Sequence, residues 1–144
     1  MFFGEFEHTI DSKGRLTIPA KFRDALANGI VITRGLDGCL WAFTKAEWEN
    51  VSEKIASLSV ANAQSRGFTR FMFASAFEAI PDRNGRIIIP AKLLDYASIQ
   101  NDIVITGMMN KLELWTPEKW ADEPATVTED PEAVVAQLAD LGIL

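Results

Sequence analysis

Apolar and polar positions alternate from Arg15 to Ile18, with Leu16 and Ile18 on one face and Arg15 and Thr17 on the other. That two-residue period predicts a half-buried strand. A second strand is predicted just before it, over Glu5 to Ile10, with Asp11-Ser12-Lys13-Gly14 as the turn between. Asp bonds the backbone ahead of it in such turns, and Gly takes a positive φ without steric penalty. Pro19 lacks a donor for a sheet ladder and ends the strand. It also suits the start of a short helix, Ala20 to Ala27. The same grammar returns later: a strand over Phe77 to Ile80, the turn Asp82-Arg83-Asn84-Gly85, a strand over Arg86 to Ile89, then Pro90 and a helix over Ala91 to Ala97. Here Ile87, Ile88 and Ile89 run without a polar break, which predicts burial on both faces.

The two stretches are copies of one unit. DSKGRLTIPAK (Asp11 to Lys21) and DRNGRIIIPAK (Asp82 to Lys92) agree at seven of eleven positions without a gap. The echo goes on: Ile30-Val31-Ile32-Thr33 matches Ile103-Val104-Ile105-Thr106, and Leu40 to Thr44 matches Leu112 to Thr116. Each half therefore reads as a hairpin, a short helix, a second hairpin closing at Leu36-Asp37-Gly38 or Met109-Asn110-Lys111, and a helix start. An isolated hairpin is marginal in water. Two with matching apolar faces are expected to bury them against each other, giving one body from two related halves.

Between the halves, Thr44-Lys45-Ala46-Glu47 has the capping-box form. Trp48, Val51, Ile55 and Leu58 follow at helical spacing, a core stripe. A second helix is expected over Ser59 to Ser75, with Phe68, Phe71, Met72 and Ser75 on one side and Gly67 weakening it. Arg66 and Arg70 share a face there; they suit an anion or, the favoured reading, partners such as Glu47 and Glu53. Thr116-Pro117 starts another helix, Ala121 to Thr128 (with Pro124) reads as a linker, and Asp130-Pro131-Glu132 caps a last helix carrying Val134, Val135, Leu138 and Leu141. That acidic helix has no obvious counterpart in the first half. The expected units are residues 1–59, residues 60–122 and an acidic tail over 123–144.

Charge sharpens this division. The chain of 144 residues carries −6, and residues 118–144, with seven acids and one base, hold all of it. The remainder is neutral, yet each repeated turn is locally basic, with Lys13, Arg15, Lys21 and Arg23 in one copy and Arg83, Arg86 and Lys92 in the other. An acidic chain is a poor indiscriminate polyanion binder, but local basic patches remain available. One cysteine, Cys39, precludes an internal disulfide and fits a reducing, cytosolic setting. No run approaches the ~20 apolar residues of a membrane span. The opening MFFGEFEH lacks the marks of a signal peptide; its Phe2, Phe3 and Phe6 imply packing on the fold or on a neighbouring subunit.

Catalytic chemistry finds little support. One His (His8) and one Cys make no usual zinc site. There is no phosphate-binding glycine loop, and Asp11 and Asp82 sit at turn starts, where a structural role with Gly14 and Gly85 suffices. No enzyme activity, metal, cofactor or small-molecule substrate is expected. What remains is Gly-Arg, twice. Arg15 and Arg86 either close ion pairs to Asp11 and Asp82 across their turns, or meet nucleic acid. The guanidinium fork matches phosphate and the guanine edge, and a β-ribbon fits a major groove.

The paired DSKGRLTIPAKF and DRNGRIIIPAKLLDYA, the opening MFFGEFEHTID and the middle RGFTRFMFASAFE resemble the MraZ family over about residues 1–120. The resemblance implies an AbrB-like, swapped-hairpin α+β fold: tandem pseudo-symmetric hairpin units forming a small barrel, with an intervening helix pair and a C-terminal helix. It further implies a bacterial transcriptional regulator, acting as a repressor of the division and cell-wall gene cluster at its own promoter. There a ring-shaped, octamer-like homo-oligomer would read direct repeats in double-stranded DNA, in the cytoplasm at the nucleoid. The family's Asp-x-x-x-Arg motif falls on Asp11 and Arg15, and on Asp82 and Arg86, so both arginines are expected DNA contacts. Lys13, Arg83, Lys21 and Lys92 are expected beside them. The tips differ, since Lys13 aligns with Asn84 and Arg83 with Ser12. An AbrB-like antitoxin or a protein-binding scaffold is the alternative, motivated by the acidic tail.

Overall fold

The computed structural model of the chain describes residues 1–123 and 125–143. Among the described residues there are eight strands, seven α-helices and a 3-10 turn at Leu36–Gly38. The first half holds β1 (Phe2–Thr9), β2 (Arg15–Thr17), α1 (Ala20–Leu26), β3 (Ile30–Arg34) and β4 (Leu40–Thr44). The connecting helices are α2 (Lys45–Ala56) and α3 (Ala63–Phe73). The second half holds β5 (Phe77–Ala79), β6 (Arg86–Ile88), α4 (Ala91–Ala97), β7 (Asp102–Met109) and β8 (Leu112–Trp115). Three helices close the chain: α5 (Pro117–Asp122), α6 (Ala125–Glu129) and α7 (Pro131–Asp140).

The class is α+β, with strands exchanged between the halves. A six-stranded antiparallel sheet runs β1-β7-β8-β4-β3-β5, and a separate two-stranded ribbon pairs β2 with β6. Exchanging the two halves reverses the sheet order and leaves the ribbon unchanged, so a pseudo-twofold axis relates them. It passes through the β4–β8 pair, where the equivalent residues Trp41 and Glu113 lie opposite each other and Trp41 Nε1 donates to Glu113 Oε2 at 3.0 Å. Closure of the sheet into a barrel is not among the strand pairings of the described residues.

The first hairpin of each half is therefore not a local ladder. β1 pairs along its whole length with β7, from Phe2 opposite Met109 to Thr9 opposite Asp102, and β5 pairs with β3. Between β1 and β2 there is one bridge, Ile10 to Leu16. The exchange buries more: the core interleaves Leu16, Ile18, Phe22 and Leu26 with Ile87, Ile89, Leu93 and Ala97. Fully burying one such large aliphatic or aromatic side chain is worth about 1.5–3 kcal/mol, which an isolated three-residue hairpin cannot gather. Phe2 and Phe6 pack edge-on against Phe22 at 5.3 and 5.1 Å, while Phe3 stays exposed.

Helix limits follow local signals. Thr44 caps α2 by accepting from Glu47 N at 3.1 Å, while the Glu47 carboxylate accepts from Asn110 Nδ2 instead of completing the box. Trp48, Val51 and Ile55 pack as expected, but Leu58 lies beyond the helix and is exposed. α3 begins later than expected, because Asn62 caps it by accepting from Gln64 and Ser65 amides. Thr116 and Asp130 cap α5 and α7. The expected linker contains α6; its Pro124 lies outside the described residues. None of α7's side chains is buried.

Candidate nucleic-acid interface

The two turns are built alike. Asp11 Oδ1 accepts from the amides of Lys13 and Arg15, both at 2.9 Å, and Gly14 N donates to Asp11 O at 3.0 Å. Asp82 Oδ1 accepts from Asn84 and Arg86 amides at 2.8 and 3.0 Å, with Gly85 N on Asp82 O at 2.9 Å. Gly14 and Gly85 take φ of 78° and 75°, which a side chain resists. Each turn is then tied to the opposite half: Gly14 O accepts from Ile89 N and Gly85 O from Ile18 N, both at 2.8 Å. The turns are thus clamped onto the ribbon.

Both expected ion pairs form, and they do not consume the guanidinium. Arg15 Nε meets Asp11 Oδ2 at 2.6 Å, and Arg86 Nε meets Asp82 Oδ2 at 3.0 Å. The Nη groups of either arginine donate no hydrogen bond among the described residues, and both side chains are about half exposed, at 47% and 48%. The Asp–Arg pair and outward contact are therefore compatible: the carboxylate grips Nε and leaves the Nη donors unspent. Amide and guanidinium donors from Arg15 hold Asp11 below the usual carboxylate range, and those of Arg86 and Asn84 do so for Asp82, with the Arg86 amide foremost.

The ribbon places the two arginines on one face. Arg15 stands opposite Ile88, and Arg86 opposite Thr17, while Leu16 and Ile87 point into the core. The unbroken Ile87-Ile88-Ile89 run is thus not buried on both faces: Ile87 and Ile89 are buried and Ile88 is exposed. The strand sits in a two-stranded ribbon whose outer face has no covering layer.

The other sequence candidates divide. Lys13 and Arg83 are exposed at the turns, and Lys92 is exposed on α4. Lys21 is drawn off toward the N-terminal strand, with Nζ 3.5 Å from the Phe3 ring centroid and 3.5 Å from Phe3 O. A further cation joins the second turn. Arg23 lies beside Gly85, its Nε donating to Ile18 O at 2.9 Å. At the equivalent place beside Gly14 the second half has Leu94. The repeat aligns position 23 with position 94, but only the return of each helix over the other half's turn brings Arg23 to the second turn.

The expected pairing of Arg66 and Arg70 with acids does not form among the described residues. Arg66 Nη1 instead donates to Val60 O at 2.8 Å, in the α2–α3 connection. Cys39 is buried beside Glu113; desolvation, helped by that carboxylate, pushes its thiol to about 12. No group of His, Cys, Asp and Glu fit to hold a metal occurs among the described residues, nor a helix long and apolar enough to cross a membrane.

Comparison with known proteins agrees along the whole chain. The family profile described as "MraZ protein, putative antitoxin-like" matches residues 1–71 and again 72–140. Proteins named transcriptional regulator MraZ are similar over 99% of this chain and 100% of their own length. They include those of Pediococcus pentosaceus, at 45% identity, and Halothermothrix orenii, at 43%. That of Syntrophomonas wolfei is 41% identical over the same span.

Proposed function

The chain belongs to the MraZ family, and on that footing we propose that it is a transcriptional regulator that binds double-stranded DNA through the outer face of the β2–β6 ribbon and its two turns. The observation that carries this is the pair of arginines, each held at Nε by an aspartate and each with its Nη fork unspent. Preorganised, bidentate donors of this kind suit phosphate and the guanine edge. Lys13, Arg83, Arg23 and Lys92 supply further positive charge around the turns.

One tip offers few contacts, so the reading includes multiplicity. Copies of the chain in a closed ring engage successive direct repeats, and the second and later contacts gain on the order of 10²–10⁴ in avidity from effective concentration. The neutral body and the acidic tail then disfavour random DNA. The proposed target is the promoter of the division and cell-wall gene cluster that contains the gene itself, where binding represses; the site of action is the cytoplasmic nucleoid.

Enrichment of duplexes from a random pool tests this. A repeated motif should emerge, and log affinity should fall against log salt by about 0.9 for each phosphate contacted. No enrichment, or a flat salt response, refutes the reading. A protein-binding, antitoxin-like role rests on the acidic tail, whose exposed apolar residues include Val135 and Leu141. Capture of a protein partner that depends on residues 123–144 would support it.

A further inference from the structure

The ribbon's outer face has four side chains, and two of them are unassigned: Thr17 and Ile88. Register fixes their company, with Ile88 across from Arg15 and Thr17 across from Arg86. A surface that lays both arginines against a duplex lays these two against it as well. Ile88 is 59% exposed, and Ile80, just past β5, is 70% exposed. In the first half the equivalent positions are Thr17 and Thr9. The second half thus replaces two hydroxyls with two bare aliphatic side chains.

These isoleucines share one concavity with both arginines. Arg15, Arg86, Ile80, Ile88 and Phe77 line one open concavity of about 500 Å³. The acids in its wall are already engaged, Asp82 by Arg86 and Glu78 by Lys45 at 3.1 Å. An apolar spot between two guanidinium forks calls for a polyanion with an apolar feature. Duplex DNA has one, the thymine methyl in the major groove, and that groove admits a two-stranded ribbon. Phosphate offers Ile88 nothing, because its side chain has no donor.

We propose that Ile88, flanked by Ile80, is a specificity-determining contact that reads a thymine methyl beside the bases met by Arg15 and Arg86. The inference rests on the DNA-binding reading and adds a base identity to it. The two tips then read unlike features, an apolar one through Ile88 and a hydrogen-bonding one through Thr17.

The test uses the full chain and duplexes selected from a random pool by the parent protein. Replacing the relevant thymine by deoxyuridine removes only the methyl and should weaken parent binding roughly threefold to fourfold, on the scale of one methyl taken from water. Ile88→Thr reproduces the residue the first strand already carries at this position, so the ribbon accepts it. That variant should lose the thymine preference and bind thymine and deoxyuridine duplexes equally. Equal deoxyuridine sensitivity in parent and Ile88→Thr overturns the proposal. So does a change in oligomer mass without DNA, which would make the patch a subunit contact. Arg15→Ala and Arg86→Ala separate the two levels: if both bind duplex like the parent, the DNA-binding reading itself has failed.

Discussion

Replacing Gly14 with alanine should destabilise the protein more than replacing Gly85, although the two residues occupy equivalent turns. Both sit at positive φ, which costs a side chain about 1–2 kcal/mol. The difference lies in what the new Cβ meets. At Gly14 it falls 2.5 Å from the backbone oxygen of Ile89, the residue just past β6 whose own amide is bonded to Gly14 O. That residue must shift, weakening a cross-half hydrogen bond worth about 0.5–1.5 kcal/mol. At Gly85 the Cβ falls 2.5 Å from Arg23 Nε, which swings aside by giving up its bond to Ile18 O. Gly14→Ala should thus cost about 1.5–3.5 kcal/mol, and Gly85→Ala about 1–2 kcal/mol, because the exposed Arg23 exchanges its bond for water. Urea unfolding at matched protein concentration measures both, with the denaturant slope unchanged. Equal losses, or a greater loss at Gly85, would refute the idea that the first turn is clamped by the second half's backbone.

Other consequences follow from the same geometry. The folded-state pKa of Asp11 and of Asp82 lies below its unfolded value, so their turn contacts persist above the ordinary aspartate range, near 4, and fade only as pH falls through the lower folded value. Carboxyl NMR titration should place both midpoints below about 4; a midpoint above it contradicts the donor-rich turns. Cys39, its thiol pushed up to about 12, should resist iodoacetamide in the folded protein and react on unfolding; rapid alkylation of native protein would place it outside the core. Ending the chain after residue 129 removes α7, none of whose side chains is buried, and should change stability by no more than about 0.5 kcal/mol; a loss above about 2 kcal/mol would show hidden packing.

What the residues disclosed was what they decide locally. Asp-x-x-Gly turns, the proline-opened α1 and α4, and the Thr44 and Thr116 caps all lie within a few residues of their cause. Which strand pairs with which is not local. The repeat showed two matching hairpins; it did not show that β2 would leave β1 for β6. The Ile87-Ile88-Ile89 run failed for the same reason, since its exposure depends on a partner strand 71 residues away in the sequence. Arg23 was counted as charge and not as part of the site, because only the exchange carries α1 over the second turn. Lys21, expected beside the arginines, also rests its Nζ against the Phe3 ring and carbonyl, a contact made across the fold and not within the repeat.

The most direct measurement is duplex affinity of Arg15→Ala and Arg86→Ala alongside their oligomer mass. Each arginine side chain spends only Nε among the described residues, so its loss should leave the mass unchanged. A bidentate base contact is worth about 1–3 kcal/mol, so affinity should fall roughly fivefold to 150-fold for each engaged copy, with a shallower salt slope if phosphate is also released. Parent-like affinity in both variants would contradict the account.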